Sequence, residues 1–201
     1  MRFLLRKGRR ALLAALFISV AVAVAVASTS TVHAQAPARA QPCAACHGAD
    51  GNSPVAGTPS LAGQPRIFLE NYLVMTREGL RGNEVMRALL KGVPDKEIVG
   101  LAAYYSKLPA KKVEEKTDQK LFNRGKDIAA KNRCASCHEK DYGGREQMPR
   151  LAGQREEFLA EVMLQYRQNK RPGGDTMMNA ALHGIPEADF KALAHYFSRL
   201  K

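Results

Sequence analysis

The feature that most constrains this chain is an internal repeat. The pentapeptide Cys-Ala-Ala-Cys-His at residues 43–47 returns as Cys-Ala-Ser-Cys-His at residues 134–138, 91 positions later. Two further segments return at nearly the same offset, Pro-Ser-Leu-Ala-Gly-Gln at 59–64 as Pro-Arg-Leu-Ala-Gly-Gln at 149–154, and Leu-Ala-Ala-Tyr-Tyr-Ser at 101–106 as Leu-Ala-His-Tyr-Phe-Ser at 193–198. Similarity at a fixed offset marks a duplicated structural unit. The repeat therefore predicts two tandem domains, residues 35–109 and 118–201, joined by a charged linker at 110–117.

Both halves show helical periodicity and no convincing strand pattern. Apolar residues recur at helical spacing in residues 98–108 after Pro94, and again in residues 190–200 after Pro186. Further helices are expected around residues 67–76, 156–168 and 121–128, the last capped by Thr117 or Asp118. The fold class is therefore predicted to be all-α.

The two Cys-x-x-Cys-His motifs carry the chemistry. Two thiols three positions apart, followed directly by histidine, are typical of covalent attachment of haem c, with the histidine as an axial ligand of iron. Zinc binding would need four ligands gathered between the halves, but each cysteine pair has its own histidine within its own repeat. A thioredoxin-like site would need a βαβ context, and no strand pattern is present. Small domains with little core also need such a cofactor to be stable. We predict two haem c groups, held by Cys43, Cys46 and His47 and by Cys134, Cys137 and His138.

The second axial ligand is sought among the methionines, because a thioether is the usual partner of histidine in electron carriers. Aligning Gly-Val-Pro at 92–94 with Gly-Ile-Pro at 184–186 pairs Met86 with Met178, the two methionines common to both halves. They are predicted to be the iron ligands. Met177 adjoins Met178 and leaves the choice between these two open.

The N-terminus has the pattern of a secretory signal. Five basic residues precede an apolar run at 11–27 and a small-residue stretch that ends at Ala34, so residues 1–34 are predicted to be a signal peptide cleaved after Ala34. An uncleaved signal acting as an anchor is the alternative. Without residues 1–34 the chain keeps 26 basic and 19 acidic residues, a net charge of +7. Export, and the lack of a basic helix with interleaved aromatics, argue against nucleic-acid binding.

Together these motifs resemble the diheme cytochromes c of the cytochrome c4 type, built from two class I cytochrome c domains. The resemblance spans residues 43–201 and rests on both Cys-x-x-Cys-His motifs, both Pro-x-Leu-Ala-Gly-Gln segments and the final helix of the first half. It implies a periplasmic carrier that passes single electrons from a quinol-oxidising complex or a dehydrogenase to a terminal oxidase or similar acceptor. It also implies that Pro59 and Pro149 accept hydrogen bonds from the haem histidines, and that any membrane contact is peripheral.

Two departures and two alternative functions accompany this resemblance. The second half has Phe122 and Gly125 where its first helix should pack on its last, whereas only residues 35–42 precede the first haem motif. Gly48 after the first motif becomes Glu139 after the second, and we expect unequal haem potentials. The alternatives are the diheme subunit of a dehydrogenase, such as flavocytochrome c sulfide dehydrogenase, and a diheme peroxidase. His183 and His195 have no histidine counterpart in the first half and are expected on the surface or on a helix face.

Overall fold

A computed structural model describes residues 36–201. The predicted signal peptide, residues 1–34, lies outside the described residues. Within residues 36–201 the structure is helical and contains no strand, only an isolated bridge between Arg145 and Met148. No helix in this described part is long and apolar enough to cross a bilayer.

The first half contains four α-helices. After a short 3-10 turn at Ala38–Ala40 they are α1 (Gln41–His47), α2 (Arg66–Arg77), α3 (Glu84–Leu90) and α4 (Asp95–Lys107). The helices α2 and α4 pack together because Leu69 and Leu73 of α2 and Ile98 and Leu101 of α4 form one buried cluster. Helical spacing correctly predicted α2 and α4, but not the seven-residue α3.

The second half contains five α-helices around a separate core. They are α5 (Gln119–Lys131), α6 (Ala135–His138), α7 (Glu156–Arg167), α8 (Thr176–Leu182) and α9 (Phe190–Arg199). The Asp118 carboxylate accepts hydrogen bonds from the backbone N–H groups of Lys120 and Leu121, which confirms Asp118 as the cap of α5. Helix α9 is the centre of this half, since α5 and α7 both pack against it.

Gly125 lets α5 and α9 approach closely. A Cβ at this position would collide with the carbonyl oxygen of Ala192 and lie 2.6 Å from Cβ of Tyr196. Phe122, one turn earlier, contacts the Tyr196 ring edge-on with the centroids 5.1 Å apart. The expected helix crossing is therefore present in the second half.

The first half has no such crossing in its described residues. The segment before its haem motif is the single turn Ala38–Ala40, of which Ala40 is buried among the side chains of the α2 and α4 cluster. A turn of three residues covers less of α4 than the 13-residue α5 covers of α9. The two halves therefore differ in their N-terminal elements.

His195 is buried and structural. Its Nε2 accepts a hydrogen bond from the backbone N–H of Asp118 at 2.9 Å, so the proton lies on Nδ1, which donates to the Glu156 carboxylate at 2.9 Å. A surface or helix-face position was expected from the sequence, but His195 is buried. Burial costs little free energy here because both ring nitrogens have hydrogen-bond partners. His183, by contrast, is exposed. With both nitrogens engaged by the protein, His195 has no lone pair for iron.

Residues 109–117 contain no helix and are attached to both halves. Asn52 of the first half donates to the carbonyl of Pro109 and accepts from the backbone N–H of Lys111. Glu115 forms ion pairs with Arg155 and Arg199 of the second half. The connecting segment is therefore tied down by side chains from each side.

Candidate haem-binding sites

Each Cys-x-x-Cys-His motif lies on one turn of helix. In the first half α1 carries Cys43 and Cys46 and ends at His47. In the second half Cys134 immediately precedes α6, which carries Cys137 and ends at His138. Residues three and four apart are neighbours on a helix surface, so the first cysteine of each motif lies beside both the second cysteine and the histidine.

The four cysteines are free thiols in the structure. Burial raises the pKa of Cys43 and of Cys134, which opposes formation of a reactive thiolate of the thioredoxin type. Among residues 36–201, no three His, Cys, Asp or Glu side chains are close enough to hold a metal ion between them. The described residues therefore form neither disulfides nor a shared zinc site.

Both motif histidines have a defined tautomer. Nδ1 of His47 is 2.7 Å from the carbonyl oxygen of Pro59, and Nδ1 of His138 is 2.9 Å from that of Pro149. A carbonyl oxygen only accepts, so each Nδ1 carries the proton and donates it. The lone pair of each imidazole is consequently on Nε2, the nitrogen left for a metal.

The burial of these imidazoles fits a haem ligand. Burial lowers the pKa of both histidines, against the smaller opposing effect of the proline carbonyls, and so favours the neutral ring that a metal binds. Nε2 of His138 is buried without a hydrogen-bond partner among the described residues. A buried nitrogen lone pair with no protein partner is expected of an axial ligand, and the residues therefore fit haem iron.

The two repeated methionines occupy equivalent helical positions. Asn83 caps α3 and accepts from the backbone N–H of Met86 at 2.9 Å, and Asp175 caps α8 and accepts from that of Met177 at 2.7 Å. Met86 and Met178 are each the third residue of their helix. Both are half-buried against the hydrophobic core of their own half.

Met177 differs from Met178 in its exposure. Met177 is 68% exposed, and its repeat equivalent Val85 is 63% exposed. Position two of these short helices therefore faces solvent in both halves, whereas position three packs inward. This favours Met178 over Met177 as the counterpart of Met86. The capping residues, Asn83 and Asp175, were the sequence signal that could have revealed α3 and α8.

Comparison with known proteins gives the family. The cytochrome c family model matches residues 122–201. Cytochrome c4 of Pseudomonas aeruginosa is 30% identical over 172 residues, which is 81% of this chain and 86% of the relative. The chain belongs to the cytochrome c4 family. The thiosulfate dehydrogenase electron acceptor of Thiomonas intermedia is also 30% identical, over 82% of this chain and 81% of that protein.

A solved structure extends this to the fold. The crystal structure of reduced recombinant cytochrome c4 from Pseudomonas stutzeri matches with a TM-score of 0.75 and 27% identity, over 81% of this chain and 95% of that one. This cytochrome is thus an all-α tandem of cytochrome c domains. It carries covalent haem c, consistent with its two Cys-x-x-Cys-His motifs, and it is a diheme electron-transfer protein rather than an enzyme.

The second haem motif of this cytochrome contains a strained residue. Gly48, which follows His47, has φ 80° and ψ 146°, and Glu139, which follows His138, has nearly the same backbone angles, φ 70° and ψ 161°. This region is populated almost only by glycine and costs other residues about 1–3 kcal/mol. The departure from the Gly pattern is therefore an energetic cost carried by the second half.

Replacing Glu139 with glycine is expected to stabilise the second half by about 1 kcal/mol, since the relieved strain exceeds the entropy that a glycine loses on folding. The exposed ion pair of Glu139 with Arg145 contributes little to this balance. Thermal unfolding of the holoprotein measures the change. Gly48→Ala is the matched control, and it should destabilise because its Cβ would collide with the Asn52 carbonyl oxygen. A destabilised Glu139→Gly variant would contradict the strain argument.

Proposed function

We propose that this chain is a periplasmic carrier that shuttles single electrons between a quinol-oxidising or dehydrogenase donor and a terminal oxidase or similar acceptor. The observation that supports it best is that each half has a buried histidine with a lowered pKa and a half-buried methionine at the same helical position. An axial thioether blocks exogenous ligands and raises the reduction potential, which suits transfer of electrons rather than turnover of a substrate.

The proposal gives each site residue one role. The porphyrins are held by Cys43, Cys46, Cys134 and Cys137, and the irons by the pairs His47/Met86 and His138/Met178. When bound, haem supplies a one-electron iron couple. The chain orients the imidazoles through the carbonyls of Pro59 and Pro149, and burial favours their neutral form by lowering their pKa. Residues 35–109 and 118–201 are proposed as the two haem domains, with 110–117 as their linker.

The periplasmic location rests on the N-terminal pattern of basic residues, apolar run and small residues that ends at Ala34. Cleavage after Ala34 is part of the proposal. A haem protein released into the periplasm could reach partners that are membrane-bound oxidases and quinol-oxidising complexes.

Of the two kinds of donor, a dehydrogenase is supported by the name of a specific relative. A protein named thiosulfate dehydrogenase electron acceptor matches 82% of this chain. By that likeness a thiosulfate dehydrogenase would reduce the haems directly. A stable complex during purification would instead indicate a permanent dehydrogenase subunit.

Donor assays separate these candidates. The oxidised holoprotein is expected to take up two electrons per chain in two one-electron steps of unequal potential, followed at the haem absorption bands. Rapid reduction by quinol-oxidising membranes supports the first donor, and rapid reduction by thiosulfate dehydrogenase with thiosulfate supports the second. Oxidase-containing membranes should then reoxidise the reduced protein. Turnover of peroxide by the protein alone, with no transfer to or from either partner, would overturn the carrier function.

A further inference from the structure

The Leu-Ala-Gly-Gln segments place one buried glutamine in each half that reaches into the other half. Gln64 and Gln154 are 5% and 4% exposed. Gln64 Oε1 accepts from the backbone N–H of Arg150 at 3.0 Å, and its Nε2 donates to the Arg150 carbonyl at 2.9 Å. Gln154 makes the same pair with Ser60, at 2.7 and 2.9 Å. The two glutamines thus form a reciprocal pair across the halves.

Each glutamine binds the peptide unit that supports a haem histidine. The N–H of Ser60 and the C=O of Pro59 belong to one planar peptide group. Gln154 accepts from that N–H, and His47 donates from Nδ1 to that C=O at 2.7 Å. In the second half Gln64 and His138 hold the two sides of the peptide between Pro149 and Arg150 in the same way.

This arrangement is more specific than an interface contact. A glutamine that only joined the halves could bind any exposed backbone group. Each of these glutamines instead binds the peptide whose carbonyl accepts a hydrogen bond from the motif histidine of the other half. Hydrogen bonds in series polarise one another, so accepting the N–H makes the carbonyl a stronger acceptor for Nδ1–H. The rigid peptide also keeps the carbonyl aimed at the imidazole.

From this geometry we infer that Gln64 and Gln154 are positioning residues whose effect is crossed: Gln154 tunes the haem of the first half, and Gln64 tunes the haem of the second. The inference rests on the proposed axial roles of His47 and His138. A stronger Nδ1–H hydrogen bond makes the imidazole a more basic ligand and stabilises ferric over ferrous iron. Contact between the halves therefore lowers the reduction potential of the haem in each half.

The test uses Gln154→Leu and Gln64→Leu in the holoprotein, with the potentials of both haems as the readout. The two redox steps are assigned beforehand with Met86→Ala and Met178→Ala, each of which displaces one step. Gln154→Leu should favour the ferrous state of the His47 haem by about three- to tenfold, which is about 28 to 59 mV upward for a one-electron couple. This range is below the effect of losing the carbonyl partner altogether. Gln64→Leu should shift the His138 haem in the same way.

The matched control is Arg81→Ala. Arg81 Nε donates across the halves to the Gly173 carbonyl at 2.9 Å without touching a peptide that supports a histidine. It should move neither step selectively. Equal shifts of both steps, or a shift confined to the haem of the variant's own half, would overturn the inference and leave the glutamines as interface contacts.

Two further measurements keep the test decisive. If a leucine variant does not fold, the shorter amides Gln154→Asn and Gln64→Asn take its place, with the same crossed pattern expected. The near-infrared band of iron–thioether ligation should persist in every glutamine variant. Absence of that band in the unmodified protein would contradict the proposed ligation, whereas a band that corresponds to two haems without a crossed shift would contradict this inference alone.

Discussion

Met86→Ala and Met178→Ala are each expected to open one of the two irons, so that either variant binds one carbon monoxide per chain when reduced, while the unmodified protein binds none. The reason is that each thioether is the sixth ligand of its haem in our proposal, and alanine cannot replace it. The potential of the affected haem should also fall, because the thioether raises it. Carbon monoxide difference spectra, scaled to total haem, provide the measurement.

Met177→Ala is the matched control for this prediction. Met177 is adjacent to Met178 in sequence, yet it is largely exposed, and it occupies the position of Val85 in the other half. Its replacement should leave carbon monoxide binding at zero. Binding in Met177→Ala but not in Met178→Ala would exchange the two assignments, and binding in none of the variants would remove the methionine ligands from the account.

Gly125→Ala is expected to destabilise the second half by about 3 kcal/mol, the upper end of the usual cost of overpacking. Helix propensity alone would favour alanine in the interior of α5 by about 1 kcal/mol. Here the added Cβ meets the backbone of Ala192 and Cβ of Tyr196, so α5 cannot keep its contact with α9. Chemical unfolding followed at the haem bands measures the loss.

Gly100→Ala is the matched control for Gly125→Ala. It has the same gain in helix propensity, and the opposite change in stability is expected. Gly100 lies inside α4, and a Cβ there would meet nothing within 4 Å. Its replacement should raise stability by up to about 1 kcal/mol. If Gly125→Ala proved as stable as Gly100→Ala, the close approach of α5 and α9 would be wrong.

The sequence predicted the elements whose signal is local and long. Helices α4 and α9 follow from ten or more residues of apolar spacing after a proline, and the cap of α5 follows from Asp118. The haem motifs were readable because covalent attachment demands a fixed spacing of residue types. Pairing Met86 with Met178 needed only the repeat.

The remainder depends on contacts between distant residues. Helices α3 and α8 have seven residues each, too few for periodicity, and begin at their capping side chains. The burial of His195 requires Glu156 and the N–H of Asp118, which are 39 and 77 positions away. Gln64 and Gln154 are recognisable in the sequence as repeated residues. Their hydrogen bonds to the opposite half form only when the two halves are packed together.

The central claim is that one chain holds two haems with histidine and methionine ligands. The most direct test is the near-infrared absorption of the oxidised protein, where sulfur-to-iron charge transfer gives a band whose intensity is scaled to total haem. A band that corresponds to two haems per chain is expected. A band that corresponds to one haem or to none would contradict this claim.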